Sequence, residues 1–395
     1  MPARPEFSRS SVSARSERFK RACLFFCAAQ LVYLAAFFVL HQWPIDAEGR
    51  SIPADFVNVW AAGKLALLGY PDWAYVSKVH KEIENAAVGY TFPGYYGWHY
   101  PPPFLFAASV LALMPYGIAH AAWIAVTLPG YLAAIRAIIG DRIGWLFALA
   151  FPAVIANVMA GQNGFLTASL FGGTLYWMER KPVWSGVCLG LLAYKPQFGI
   201  LFPLALIAGK RWTVFVTAAL MALAMAALSA LAFGAASWQA FLHGLPVTAQ
   251  TFLSEGQGHF GKLQSLYGLV RSSGGSETLG WVLQGALTLA VAAAVCIFWH
   301  RRAPFALQAA LLAAGALLAT PYLYLYDTAV LAVAAAFLIR AARTAGFLPG
   351  EASALLIAAG FVLAYPFFAE PLGFVAIVIV FALVLRRLVV TKTPA

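Results

Sequence analysis

The chain has 395 residues, of which 62% are hydrophobic and 10% are charged, with a formal net charge of +11 and a mean hydropathy of +0.78. Soluble globular proteins carry roughly 25% charged and about 45–50% apolar residues, so this composition excludes an ordinary soluble fold. The positive charge does not indicate nucleic-acid binding, because the basic residues lie in an N-terminal tail and in connections between apolar segments, a pattern typical of cytoplasmic loops.

The N-terminal segment, residues 1–21, is predicted to be a cytoplasmic tail, because it contains six of the 26 basic residues. An apolar segment follows from Ala22 to Leu40. It is too long for the apolar region of a typical signal peptide, so we interpret it as a retained membrane anchor.

Apolar segments recur along the rest of the chain and predict an all-α polytopic membrane protein with about twelve transmembrane helices. They form one domain, residues 22–388, followed by a cytoplasmic tail, residues 389–395. The segment 102–115 is too short to cross a ~30 Å apolar core. The segment 183–208 is interrupted by Lys195-Pro196 and is interpreted as a bent pair that crosses and returns, because this count places most basic connections on the cytoplasmic side.

Two longer connections, about 42–101 and 235–277, then face the periplasm. In the first, Asp55 precedes an apolar helix that ends at Gly69, and a second short helix is predicted over about 73–87. Asp at a helix start and Gly after its end are capping signals. We expect these to be juxtamembrane helices, with the first lying on or in the membrane surface.

Asp55 and Lys195 are the ionisable residues whose positions suggest chemistry. Asp55 is a candidate helix cap and a candidate general base facing an acceptor hydroxyl, and the two roles are not exclusive. Lys195 lies in apolar sequence, where a charge needs a partner. That partner is either Asp327 or the phosphate of a lipid carrier, and the residues alone leave both alternatives open. The predicted topology brings Asp55, Gln162, Lys195 and Asp327 to the same face.

Several motifs together resemble the family 87 glycosyltransferases, integral membrane enzymes of the GT-C fold. The resemblance spans roughly residues 50–335. It is carried, in order, by Asp55 with the following Ala-Gly helix, Gly69-Tyr70, Tyr100-Pro101-Pro102, Gly161-Gln162-Asn163, the segment Gly186 to Pro196, Gln264-Ser265-Leu266 with Arg271, and Thr320-Pro321. Members of the family often carry a histidine after the last element, where this chain has Tyr324-Leu325-Tyr326-Asp327.

The resemblance implies an inverting hexosyltransferase of the bacterial inner membrane. It would move a sugar, with mannose as the expectation from relatives, from a polyprenyl-phosphate donor to a lipid-linked or glycan acceptor at the periplasmic face. Asp55 would be catalytic and Lys195 would hold the donor phosphate. The predicted substrate-binding residues are Lys195, Gln162, Asn163, His99, Tyr100, Gln264, Ser265, Arg271, Tyr322, Tyr324 and Asp327.

No cofactor or metal is expected, because the first periplasmic connection lacks a closely spaced carboxylate pair of the Asp-x-Asp type. The expected partners are the donor, the acceptor and membrane lipids, without nucleic acid. The alternative from another class is a lipid or solute transporter, which scarce intramembrane charges would also fit.

Overall fold

The computed structural model describes residues 9–256 and 259–390, with side chains from residue 17 onward. Regular structure in these ranges is helical, apart from one isolated β-bridge between Ile45 and Ser51. The α-helices are α1 (Arg9–Val39), α2 (Phe56–Leu67), α3 (Ser77–Val88), α4 (Leu105–Leu111), α5 (Tyr116–Ile139), α6 (Ile143–Ala150), α7 (Ala153–Ala160), α8 (Gly164–Trp177), α9 (Pro182–Leu191), α10 (Phe202–Ala208), α11 (Trp212–Ala249), α12 (Leu266–Ser272), α13 (Glu277–His300), α14 (Phe305–Leu318), α15 (Ala329–Ala345), α16 (Glu351–Phe368) and α17 (Leu372–Val390).

The predicted tails differ from the structure in extent. Helix α1 begins within the predicted N-terminal tail, and α17 continues to Val390, two residues into the predicted C-terminal tail. Residues 1–8 and 391–395 of these tails lie outside the described residues.

Seven helices of the described chain are long and apolar enough to span a membrane, or eight if α6 and α7, bent by 63°, form one span. The sequence predicts about twelve. The difference arises because several segments counted as crossings fold into helices that are too short to cross on their own, including Pro182–Tyr194, Pro196–Ala208 and α14. The all-α polytopic class is confirmed. The number of helices long enough to cross a membrane is seven or eight, fewer than the twelve predicted.

Helices α14 and α15 occupy the centre of the molecule. Every residue of α14 from Leu307 to Leu318 is buried, as is α15 from Ala329 to Ile339. They pack on each other, and α5, α8 and α17 pack around them. The connection between α14 and α15 therefore emerges from the most enclosed part of the protein.

Helices α9 and α10 form the bent pair that the sequence predicts. Glu179 lies before α9 and Arg211 lies after α10, and their side chains form an ion pair at 2.9 Å. The chain therefore leaves one end of the protein, turns at Lys195-Pro196 and comes back to the same end.

The long helix α11 bends at Gly234, whose φ of 77° and ψ of 158° are not helical. Trp238 Nε1 donates a hydrogen bond to Ser229 Oγ at 3.1 Å across this bend. The part before the bend is about 33 Å long at ~1.5 Å per residue and can span a membrane alone. After the bend, α11 continues to Ala249, so the start of the second predicted connection is helical. Phe241 of this part contacts Tyr75, with ring centroids 6.1 Å apart.

Helix α2 is mostly buried rather than lying on the membrane surface, which corrects the expectation from its apolar sequence. It packs closely on α4, where a Cβ atom added to Gly63 would overlap the carbonyl of Ala108. Leu67 and Leu68 at its end remain exposed. The apolar face that suggested membrane contact is satisfied by protein packing.

The two ends of the helix bundle differ in charge. At one end, Arg343 pairs with Asp141 at 2.6 Å and Arg386 donates a hydrogen bond to Pro349 O at 2.8 Å. We call this the basic end, because it carries Arg142, Arg180, Lys181, Lys210, Arg211, Arg301, Arg302, Arg340, Arg343, Arg386 and Arg387. Helices α2, α3 and α12 and the connection between α14 and α15 lie at the opposite end.

The charge difference predicts which end faces the cytoplasm. In a cysteine-free background, Lys181→Cys should be protected in intact cells from a membrane-impermeant thiol reagent and react after lysis, because connections rich in Lys and Arg usually face the cytoplasm. Ala47→Cys is the matched control at the opposite end, and both positions are exposed. Ala47→Cys should react in intact cells whose outer barrier is permeable to the reagent. Labelling of position 181 before lysis would reverse the topology.

Candidate functional site at the end opposite the basic end

A buried ion pair joins the connection between α14 and α15 to the turn between α9 and α10. Lys195 Nζ and Asp327 Oδ1 are 2.6 Å apart, and both side chains are almost fully buried. The other carboxylate oxygen of Asp327 accepts a hydrogen bond from the Tyr324 backbone N–H at 3.2 Å. The first alternative for Lys195, an ion pair with Asp327, is therefore present in the structure.

Aromatic rings surround the ammonium group of Lys195. Its Nζ atom is 5.1 Å from the ring centroid of Tyr326, 5.6 Å from that of Phe198 and 6.0 Å from that of Tyr100. Ring faces attract cations at such distances. The rings and Asp327 together compensate for removing this charge from water.

Asp55 does not cap α2. Its backbone is already helical, with φ −52° and ψ −27°, and its side chain makes no capping hydrogen bond. An N-cap side chain normally reaches the helix N–H groups from an extended backbone. The capping alternative is therefore wrong, and the carboxylate is directed instead to Gln162, whose Nε2 donates to Asp55 Oδ2 at 3.5 Å.

Gln162 connects Asp55 to Tyr100. Its Oε1 accepts a hydrogen bond from the Tyr100 hydroxyl at 3.0 Å. The preceding Gly161 ends α7 with φ 63°, and a Cβ atom there would lie 2.6 Å from both Phe56 Cβ and His120 Nε2. Glycine at this position lets the turn approach the start of α2 closely enough for Gln162 to reach Asp55.

The environment of Asp55 suits a base. Its side chain is partly exposed, yet burial raises its pKa above the ordinary value. The charge of Lys262, the hydrogen bond from Gln162 and the charge of Lys195 lower the pKa and offset part of this rise. A carboxylate with a raised pKa is a stronger proton acceptor, provided that it remains ionised at the working pH.

Lys262 is a site residue that the sequence interpretation missed. It ends a short 3₁₀ helix, Phe260–Lys262, and its side chain is exposed. Within the described residues it makes no ion pair, and its charge acts on Asp55. The sequence did offer a signal: Lys262 lies in the second predicted periplasmic connection, two residues before Gln264.

Gln264, Ser265 and Arg271 hold the neighbouring backbone. Gln264 Oε1 accepts from Gly373 N at 2.7 Å, and Ser265 Oγ donates to Pro321 O at 2.7 Å. Arg271 donates to the backbone oxygens of Ser254 and Gly275. The Ser265 bond joins the segment that carries Lys262 to the connection between α14 and α15, and the Gln264 bond joins it to the start of α17.

The other predicted substrate-binding residues occupy different places. Tyr322 and Tyr324 contact each other edge-on at 5.2 Å, and the Asp55 charge acts on both hydroxyls. Asn163 is buried at the start of α8. His99 contacts α11, with Nδ1 2.9 Å from Thr248 Oγ1.

No group of three or more His, Cys, Asp or Glu side chains able to hold a metal ion occurs in residues 9–256 and 259–390. The ionisable groups that interact electrostatically with Asp55 include Lys262, Lys195, several tyrosines and Glu84. The chemistry available from these side chains is proton transfer and binding of an anion.

Comparison with protein families gives one decisive match. The model of glycosyltransferase family 87 matches residues 98–321, more than half of the chain. This chain belongs to glycosyltransferase family 87. Comparisons with curated proteins and with solved structures give no match. Membership assigns glycosyl transfer as the activity class and displaces the transporter alternative.

The matched region of this family 87 glycosyltransferase contains Gln162, Lys195 and Lys262 and ends at Pro321. Asp55 and Asp327 lie outside it. Their part in the site rests on the contacts with Gln162 and Lys195 described above.

Proposed function

We propose that this glycosyltransferase has the GT-C arrangement and transfers a hexose from a polyprenyl-phosphate donor to a lipid-linked or glycan acceptor. The reaction takes place at the periplasmic face of a bacterial inner membrane, and mannose is the first sugar to test. The proposal rests mainly on one observation, the carboxylate of Asp55 with a raised pKa beside two lysines at the end of a bundle of apolar helices.

Asp55 would act as the general base of a single displacement. It takes the proton of the acceptor hydroxyl as that oxygen attacks the anomeric carbon. The bond from the anomeric carbon to the phosphate oxygen breaks, and the lipid phosphate leaves with the electron pair. Attack from the side opposite the leaving group inverts the anomeric centre.

Lys262 is well placed to bind the phosphate of the donor. It is exposed and lacks an ion pair among the described residues, so its charge is available to an incoming anion. Lys195 is already paired with Asp327. Its predicted contact with the phosphate would require the phosphate to share the ammonium group with Asp327.

A lipid-linked donor fits the position of the site. The site lies where α7 and α14 end and α15 begins, so a phosphate there can have its polyprenyl chain among apolar helices. A soluble nucleotide sugar gains no affinity from such surroundings, whereas each buried CH₂ of a lipid chain contributes ~0.8 kcal/mol.

Donor choice tests this proposal directly. Purified protein in detergent is supplied with a mixed acceptor fraction of membrane glycolipids and with radiolabelled mannose on either polyprenyl phosphate or a nucleotide. We expect label to enter the acceptor fraction only from the lipid-linked donor. Protein with Asp55→Asn serves as the blank for contaminating transferases. Equal incorporation from the nucleotide sugar would refute the lipid-linked donor.

A further inference from the structure

A cavity of about 620 Å³ lies beside the Asp55 cluster. Its walls come from the start of α3, the loop that leads to Tyr100, and the end of α11 with the turn after it. Ligand cavities typically have volumes of about 300–1,000 Å³ and combine aromatic surface with a few polar groups. This cavity therefore has room for one or two sugar units.

One wall of the cavity also belongs to the catalytic region. His99 lines the cavity, while its neighbour Tyr100 points to Gln162 and so to Asp55. Phe252 lies between the two regions, edge-on to His99 at 5.0 Å and to Tyr322 at 6.0 Å. A molecule in the cavity is thus one layer of side chains from the site of transfer.

The lining combines apolar and aromatic surface with positive charge. Tyr95 and Trp98 supply ring surface, and Lys78 and Lys81 supply positive charge, while no Asp or Glu lines the cavity in the described part of the chain. Lys81 lies 3.7 Å from Glu84 and over the ring of Phe92, so its charge is partly used. Lys78 is exposed and makes no ion pair within the described ranges, which leaves its charge free for a ligand.

The turn that closes the cavity has an unusual backbone. Residues Gln250–Ser254 form a π-helical turn after α11, and Thr251 and Phe252 of this turn line the cavity. Single π-helical turns are rare and occur frequently at functional sites. Here the turn brings a hydroxyl and a ring to the same wall.

We propose that this cavity is an acceptor subsite that binds an anionic saccharide, a glycan that carries a phosphate or carboxylate group. The aromatic rings cover the C–H faces of a sugar, and Lys78 pairs with the anionic group. The proposal rests on the proposed function, in that it names the class of acceptor for the same reaction. A pocket lined by one sign of charge also concentrates a ligand of the opposite sign.

Binding can be measured apart from catalysis. Trehalose 6-phosphate and trehalose serve as probes for saturation-transfer difference NMR with the purified protein. The wild type should bind the phosphorylated sugar about tenfold or more tightly than the neutral one, which is the size of a hydrogen bond to a charged group. Lys78→Gln should remove this preference. Lys64→Gln, which changes a lysine outside the cavity, should keep it.

A second variant tests the cavity itself. Thr251→Trp should abolish binding of both probes by filling the space, with folding checked by thermal melting. Lys78→Gln should also raise the acceptor KM without changing the donor KM. Equal affinity of wild type for the two probes, no binding by wild type, or unchanged binding to a folded Thr251→Trp protein would each overturn the proposal. These readouts remain valid even if Asp55→Asn retains transfer and the proposed reaction fails.

Discussion

Replacing Asp55 by Asn is expected to lower the rate of sugar transfer by about 10²–10⁴-fold, the usual contribution of a general base. Asn keeps the size and the hydrogen bond to Gln162 but cannot accept the proton of the acceptor hydroxyl. Because the carboxylate does not cap α2, the folded structure loses nothing that the amide cannot replace. The measurement is initial-rate transfer from the polyprenyl-phosphate donor, with thermal melting to confirm folding.

Asp72→Asn is the matched control, because it removes another carboxylate from the same end of the protein without touching Gln162. Its activity should equal that of the wild type. The pKa of Asp55 is raised, so kcat/KM of the wild type should fall, as the pH is lowered, at a higher pH than an ordinary Asp would give. The fall of kcat/KM on the acid side of the pH profile reports protonation of the base. Wild-type rates in a folded Asp55→Asn protein would remove Asp55 from the mechanism.

Lys195→Met is expected to destabilise the protein without any ligand. It leaves Asp327 as an unpaired carboxylate in a buried position, and removing one partner of a buried pair costs about 3–5 kcal/mol. The melting temperature should therefore fall clearly, and Lys195→Met combined with Asp327→Asn should recover part of the loss, because no uncompensated charge remains. The measurement is thermal melting of the three variants in detergent.

Lys262→Met gives the contrast that separates the two roles of a lysine. Its side chain is exposed, so the melting temperature should stay unchanged while the donor KM rises. If instead Lys195→Met raised the donor KM and left the melting temperature intact, the phosphate role predicted for Lys195 would be supported over the ion-pair role.

The arrangement explains how a membrane bundle can present a polar site. The central helices α14 and α15 are almost entirely apolar and small, so they pack tightly. The connection between them carries Asp327, and it is held in place by hydrogen bonds from the Ser265 hydroxyl to Pro321 O and from the Gln264 backbone N–H to Leu323 O. The polar groups therefore lie on a rigid base and need not be buried in the membrane core.

Much of this could be predicted from the sequence. Several long apolar segments with few charges favour membrane helices, because a helix satisfies its backbone hydrogen bonds internally. The distribution of Lys and Arg predicted that Asp55, Gln162, Lys195 and Asp327 meet at one end, and the structure brings them together. The Lys195-Pro196 break predicted the bent pair, because proline interrupts a helix.

Tertiary structure alone decided the rest. An apolar segment does not reveal whether protein or lipid covers it. For this reason about twelve crossings were predicted, where helix length supports seven or eight. For the same reason α2 was expected on the membrane surface, although protein buries most of it. The sequence could not separate the two partners of Lys195, nor could it place Lys262 beside Asp55. Contacts between distant segments depend on how whole helices pack. Composition and periodicity predict whether a segment forms an apolar helix, but they do not predict which other segment it contacts.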